Sequence, residues 1–226
     1  GKEIQLPCAP ENNRYTGEER TERIKITFTY ETITVPAAKA TVAYEVEGDG
    51  SIHMTAGYCG VEGLPELPVF GLRFIMPTCA ERFVYKGLSG ETYPDRKAGG
   101  VPGIYEVEGL PVTPYLVPQD CGVHMDTEWV EVYRGSSLDN RKKGAAEPSK
   151  LRFDLGSLAF SCLPYTALEL ENASHQEELP LPRRTVLCIY GAVRGVGGID
   201  SWGTDVESAY HIDGGKDMGF EFWIRV

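Results

Sequence analysis

The sequence predicts an all-β protein built as a large antiparallel β-sandwich, and three features of it do so. Apolar residues recur at every second position in several short runs, the spacing of a strand with one buried face. Turn residues punctuate those runs, among them many of the 26 glycines and 15 prolines in 226 residues. No long 3.6-residue period separates the runs, which argues against strand–helix alternation.

In chain order, residues 1–20 are polar and read as a leader, with 21–226 as a single β domain. The chain opens at Gly1 without a Met, as a processed or excised fragment would. Ile24, Ile26, Phe28 and Tyr30 share one face of a first strand. Val42, Tyr44 and Val46 repeat the period, as do Phe70, Leu72, Phe74 and Met76. The cleanest alternation is terminal, with Met218, Phe220, Phe222, Ile224 and Val226 on one face. Turns are predicted at Glu47-Gly-Asp-Gly50, Gly60-Val-Glu-Gly63 and Asp213-Gly-Gly215. Further strands are expected near 82–86, 126–134, 150–160, 185–192 and 205–212. One short helix is expected near 167–175, two to three turns long. Thr166 and Glu169 have the spacing of a capping box there, and Pro180 limits its length. The polar stretch from Ser136 to Ser149 reads as a hairpin loop.

The formal net charge of −11 weighs against phosphate-rich partners. Nucleic-acid affinity comes largely from Lys and Arg neutralising phosphates, and anionic membranes are disfavoured for the same reason. No apolar run approaches the roughly 18 residues of a membrane span. A neutral ligand such as a sugar suits this surface better. The six cysteines (Cys8, Cys59, Cys79, Cys121, Cys162 and Cys188) form no CxxC pair and read as buried or idle thiols. The four scattered histidines give no metal-ligand spacing.

Three segments crowd turn residues, aromatics and charges beyond what a strand needs. They are Gly87-Leu-Ser-Gly-Glu-Thr-Tyr-Pro-Asp-Arg-Lys97, Thr113-Pro-Tyr-Leu-Val-Pro-Gln119 and Gly195-Val-Gly-Gly-Ile-Asp-Ser-Trp-Gly203. In this order they resemble the C-terminal, fifth domain of large five-domain β-galactosidases of glycoside hydrolase family 2. Glu91, Tyr93, Asp95 and Arg96 match that family's G-x-G-P-x-E-N-Y-x-D-R run. Pro114, Tyr115, Pro118, Gln119 and Gly122 match its P-Y-x-x-P-x-E-N-G run, and Gly197, Gly198, Asp200, Ser201 and Trp202 its G-G-D-D-S-W run. The first run is one residue shorter here, with Thr92 replacing Asn. Asp120-Cys121 replaces Glu-Asn in the second, and Ile199 replaces the first Asp in the third. The resemblance covers roughly 22–226.

It implies a sandwich of the galactose-mutarotase-like type, a supersandwich. It also implies that the domain buttresses a catalytic (β/α)8 barrel of its own full-length chain, and that the whole enzyme hydrolyses terminal β-D-galactosides such as lactose. The paired carboxylates of a retaining glycosidase would sit on that barrel, so the fragment is expected to be inactive alone. Mg²⁺ and Na⁺ would be bound outside it, the full enzyme would be a homo-oligomer, and the location would be cytoplasmic, with the periplasm as alternative. Trp202 is the expected sugar contact, its indole facing the C–H patch of galactose from a Gly197-Gly198 turn. Asp200 and Ser201, with Glu91, Tyr93, Asp95 and Arg96, are expected to support loops. The alternatives are a free-standing carbohydrate-binding module and, more remotely, a mutarotase-like isomerase. The isomerase would need a histidine beside a carboxylate, for which His124 with Asp126 or His211 with Asp213 are the candidates.

Overall fold

The structure is a computed structural model that describes residues 23–136 and 149–225. The polar leader, Val226 and most of the 136–149 stretch lie outside those residues. The described chain is all-β and antiparallel, as the alternation predicts. Its strands are β1 (Arg23–Glu31), β2 (Lys39–Glu47), β3 (Ile52–Cys59), β4 (Val69–Met76), β5 (Arg82–Leu88), β6 (Pro102–Glu108), β7 (Val123–Arg134), β8 (Ser149–Leu163), β9 (Thr185–Val193) and β10 (Met218–Arg225).

The main path of the sheet runs β1-β2-β3-β10-β8-β7-β5-β6. The long strand β8 is where it forks. Residues Arg152–Asp154 of β8 pair with β10, whereas Ala159–Leu163 pair with β9, which in turn carries β4. Gly156 lies between the two stretches at φ +71°, a conformation costly for residues with a Cβ, so the strand can change partners there.

The β4–β9 pair forms a second layer, shown by its aromatic contacts. Phe70 of β4 meets Phe220 at 5.2 Å edge-on, and Phe74 meets Phe222 at 6.0 Å and Phe153 at 5.6 Å. The period-two faces read from sequence therefore become the two walls of one core. Phe153 and Met54 are fully buried there, and Phe222 and Phe83 nearly so. Burying each such side chain contributes roughly 1.5–3 kcal/mol.

Several local expectations change. The sequence runs left out β3 and β6. β3 does alternate, burying Met54, Ala56 and Tyr58, but His53, Thr55 and Gly57 dilute its β signal. β6 is an edge strand that starts at Pro102, which an edge tolerates because proline donates no ladder bond. The segment 205–212 is not a strand. It holds a 3-10 turn at Ser208–Tyr210 and one isolated bridge between Leu67 and Ile212.

The helix forms with the expected capping box, Thr166 and Glu169 each bonding the other's backbone N–H. Yet it spans only Ala167–Glu171, not two to three turns. Leu168, read as part of the apolar face, is exposed, and only Leu170 and Ala173 turn inward, with Asn172 capping the end. The chain then turns back, and the Tyr165 hydroxyl donates to the Pro180 carbonyl at 2.7 Å.

Candidate functional site

Three loops carry the singled-out segments: 89–101 between β5 and β6, 109–122 between β6 and β7, and 194–217 between β9 and β10. Nothing in their spacing says that they meet. The structure hangs both later loops on residues 91–96.

Glu91 ties the first loop to the second. One carboxylate oxygen accepts from the Tyr93 hydroxyl at 2.5 Å and from the Gly122 N–H at 2.7 Å. The other accepts from the Thr113 hydroxyl at 2.9 Å. Tyr93 is half-buried, and burial, then the Glu91 bond, pushes its phenol well above the ordinary range. It stays a donor at any ordinary pH. Thr92, where the family run has Asn, is buried and stitches its loop to β7. Its N–H donates to the Val123 carbonyl at 2.7 Å and its hydroxyl accepts from Met125 N–H at 2.9 Å.

Asp95 and Arg96 tie the first loop to the third. The Asp95 carboxylate accepts the backbone N–H groups of Val196 at 3.0 Å and Gly197 at 2.8 Å. The Arg96 guanidinium donates to the Gly197 carbonyl. Charge-assisted bonds of this kind are stronger than neutral ones. Glycine is required here: Gly197 and Gly198 sit at φ +70° and +74°, and a Cβ on Gly195 would lie 2.6 Å from Val206 Cγ2.

Past that hinge Asp200 organises the tip. It accepts from Trp202 N–H at 2.9 Å and from the Thr204 N–H and hydroxyl at 3.2 and 2.5 Å. These bonds, the Thr204 hydroxyl foremost, hold its carboxyl below the usual carboxylate range. Ser201 is exposed and its side chain bonds to nothing among the described residues, so the holding expected of the Asp200–Ser201 pair falls on Asp200 alone. Trp202 is 91% exposed. Its backbone is pinned while its indole projects into solvent.

Other apolar side chains on these loops are exposed as well. Val196 and Ile199 on the same loop are exposed, as are Tyr115, Leu116 and Val117 on the loop that Glu91 holds. Fixed polar bonding beneath exposed apolar tips is the make-up of a contact surface.

The histidine pairings imagined from sequence do not occur. A bulge between His124 and Thr127 separates the first pair. His124 is buried, while Asp126 is exposed at φ +52° and bound by Lys97 at 2.7 Å. His211 turns away from Asp213 and lies against Glu66 and, at 3.6 Å, Asp205. Glu66, Asp205 and His211 offer ligand-type atoms within 4.8 Å of one another. The Arg194 guanidinium spans the two carboxylates, at 3.2 Å from Glu66 and 2.5 Å from Asp205, and so holds the position a cation would need. Sequence reading missed this clamp, because Glu66 is far from the other members in the chain. The cysteines Cys59, Cys79, Cys121, Cys162 and Cys188 are free thiols, and Cys8 lies outside the described residues. No helix among the described residues is long and apolar enough to cross a membrane.

Comparison with known proteins adds an independent line. Residues 4–224 match the family model described as "Beta galactosidase small chain". The chain is 61% identical over 226 residues to the "Beta-galactosidase small subunit" of Latilactobacillus sakei, a match covering 99% of this chain and 71% of that one. It is 32% identical over 208 residues to "Beta-galactosidase BgaC" of Bifidobacterium adolescentis, and likewise to the "Beta-galactosidase" of Streptococcus thermophilus. Each of those matches covers 90% of this chain but only 19% of the relative, so the chain spans about a fifth of their length.

Proposed function

From the premise that this chain belongs to the β-galactosidase small-chain family, we propose that it is the non-catalytic partner of a galactoside-hydrolysing (β/α)8 barrel. The barrel would sit on a separate large subunit, as the name of the Latilactobacillus relative suggests. That differs from the single full-length chain that the sequence resemblance implies. The role itself is the same: the domain docks on the barrel and completes its sugar pocket. Hydrolysis of terminal β-D-galactosides needs two carboxylates about 5 Å apart, and in this reading the barrel supplies both.

The observation that carries the proposal is Trp202. An indole left 91% exposed at the end of a loop pinned by Asp95, Arg96 and Asp200 is positioned but uncovered. A large aromatic in that state suits a partner or ligand surface better than solvent. Its flat face fits the C–H side of galactose, and its N–H can meet a hydroxyl. Val196 and Ile199, exposed on the same loop, would add apolar area to that contact. In this reading Glu91, Tyr93, Asp95 and Arg96 are positioning residues that hold the surface in shape. Mg²⁺ and Na⁺, if the enzyme uses them, belong to the barrel.

The test is reconstitution with a β-galactosidase large subunit. The wild-type chain should bind it and raise lactose hydrolysis above that of the large subunit alone. Trp202→Ala should keep its folded spectrum but lower kcat/KM by on the order of tenfold or more. Wild-type kinetics in that variant would remove Trp202 from the pocket. Saturable galactose binding by the chain alone would favour the carbohydrate-binding alternative instead.

A further inference from the structure

A cavity of about 270 Å³ opens on the outer face of the layer formed by β4, β9 and the end of β8. That is just below drug-sized pockets and enough for a molecule of a few carbons. Strand alternation sets its floor. Leu72 and Phe74 of β4, Leu187 and Ile189 of β9 and Phe160 and Cys162 of β8 turn into the core, so Arg73, Cys188 and Ser161 face the other way. These three stand in one row, Arg73 opposite Cys188 and Cys188 opposite Ser161. Asp120 walls the far end, just before Val123, the β7 partner of Ser161.

The middle of the floor is neutral and already bonded. The Tyr190 hydroxyl and Ser161 Oγ share a hydrogen bond of 2.9 Å, and both residues are buried. Burial pushes the Cys188 thiol beside them up, so it stays uncharged. The Tyr190 ring lies over Gly71, where a Cβ would come within 2.8 Å of it. The charges stand at the two ends. Arg73 is exposed on the edge strand β4, and no hydrogen bond or ion pair engages it among the described residues. Asp120 is also exposed, with no cation against it among the described residues. The protein packed on its inner side raises its carboxyl above the ordinary value, and the charges of Glu171 and Glu91 add to the rise. The β4 and β8 ends of the row are two strand spacings apart, roughly 9–10 Å, too far for Arg73 and Asp120 to close on each other.

Opposite charges at the two ends of one cavity, each without a counter-charge, are complementary to a ligand that carries both. We propose that this cavity binds a small zwitterion with separated charges, its carboxylate on Arg73, its ammonium on Asp120 and its carbon chain lying across Cys188. An anion alone would meet Asp120, and a cation alone would meet Arg73. A neutral polyol would leave both ends without a counter-charge. Arg73 and Asp120 are both open to solvent, so a ligand reaches them without moving the protein. Trp202 and the galactoside pocket play no part in this site.

The test uses δ-aminovalerate with pentylamine and valerate, which share its five-carbon chain and keep one charge each. Each is titrated into the full chain and followed by calorimetry and backbone amide shifts. The zwitterion should bind saturably, with shifts centred on residues 73, 120–122, 161 and 188, and each singly charged analogue at least ~10-fold more weakly. Arg73→Gln should bring the zwitterion down to the affinity of pentylamine, and Asp120→Asn to that of valerate. Both substitutions are at exposed positions, and near-ultraviolet dichroism checks that the fold is kept. Equal affinities for the three compounds, shifts elsewhere, or no saturable binding of the zwitterion would overturn the proposal. So would galactose shifting the same amides at equal affinity, which would make the cavity a polyol site. If either variant does not fold, the comparison of the three compounds on the unaltered chain decides alone.

Discussion

His124 gives the chain a measurable acid sensitivity. Its ring lies among Phe83, Tyr85 and Phe160, with the Gly90 carbonyl on its N–H and the Glu91 carboxylate as the nearby charge. Burial lowers its pKa from 6.5 to about 4, and the opposing pull of Gly90 and Glu91 does not compensate. In the unfolded chain the imidazole takes a proton near 6.5, whereas in the native state it does not until about 4. Between those values the unfolded state binds more protons, so native stability is fully present above 6.5 and is lost as the pH falls toward about 4. Integrating this difference gives a loss of about 2 kcal/mol between pH 7 and pH 5, growing to roughly 3 kcal/mol by pH 4. The perturbation is His124→Gln, which cannot titrate in this range and keeps an N–H for Gly90. Urea unfolding of both proteins, at half-unit steps from pH 7 to 4.5, yields two stability curves. Other acid losses are common to both. One is Glu131, whose burial would raise its carboxyl but whose bonds from Tyr133, Lys150 and Arg152 hold it below the carboxylate range. The variant should therefore be flatter than wild type by about 2 kcal/mol between pH 7 and pH 5. Parallel curves would refute the burial argument, whatever the variant's absolute stability.

Other perturbations have equally definite outcomes. Asp95→Ala removes two charge-assisted acceptors from Val196 and Gly197. Amide exchange across 196–204 should speed by tenfold or more while thermal unfolding shifts only slightly, since the loop is exposed; unchanged exchange would mean that Arg96 and Asp200 suffice. Phe222→Ala empties a position that meets Phe74, Phe153 and Phe220 and should cost about 3–5 kcal/mol in denaturant unfolding. A cost below about 1 kcal/mol would show that β4–β9 is not packed on β10. Thr166→Ala breaks the capping box and should cost about 1 kcal/mol by the same measurement.

How much of this was legible in the chain depends on the range of each interaction. Strand period is local. Phe220, Phe222 and Ile224 alternate with Glu221, Trp223 and Arg225, and that is enough to say which face goes inward. The capping box is equally local, three residues wide. The loops declared themselves by composition, because glycine, aspartate and exposed aromatics in one turn have no use inside a strand.

What composition could not supply is partnership. Asp95 reaches Gly197 across 102 positions, and Glu91 reaches Gly122 across 31. His124 reads like its sequence neighbour Asp126 until a bulge turns one inward and the other out. His211 meets Glu66 rather than Asp213, nearer in the chain, because the Leu67–Ile212 bridge lays 66 beside 211.

The sequence by itself thus determined the class of the fold, the faces of most strands and the residues that would stand out on loops, since each depends on contacts a few residues apart. Tertiary structure alone decided the fork at Gly156, the latch under Trp202 and the burial of His124. Those depend on which strands pair, and pairing is settled by packing the whole apolar surface at once rather than by any local run of residues.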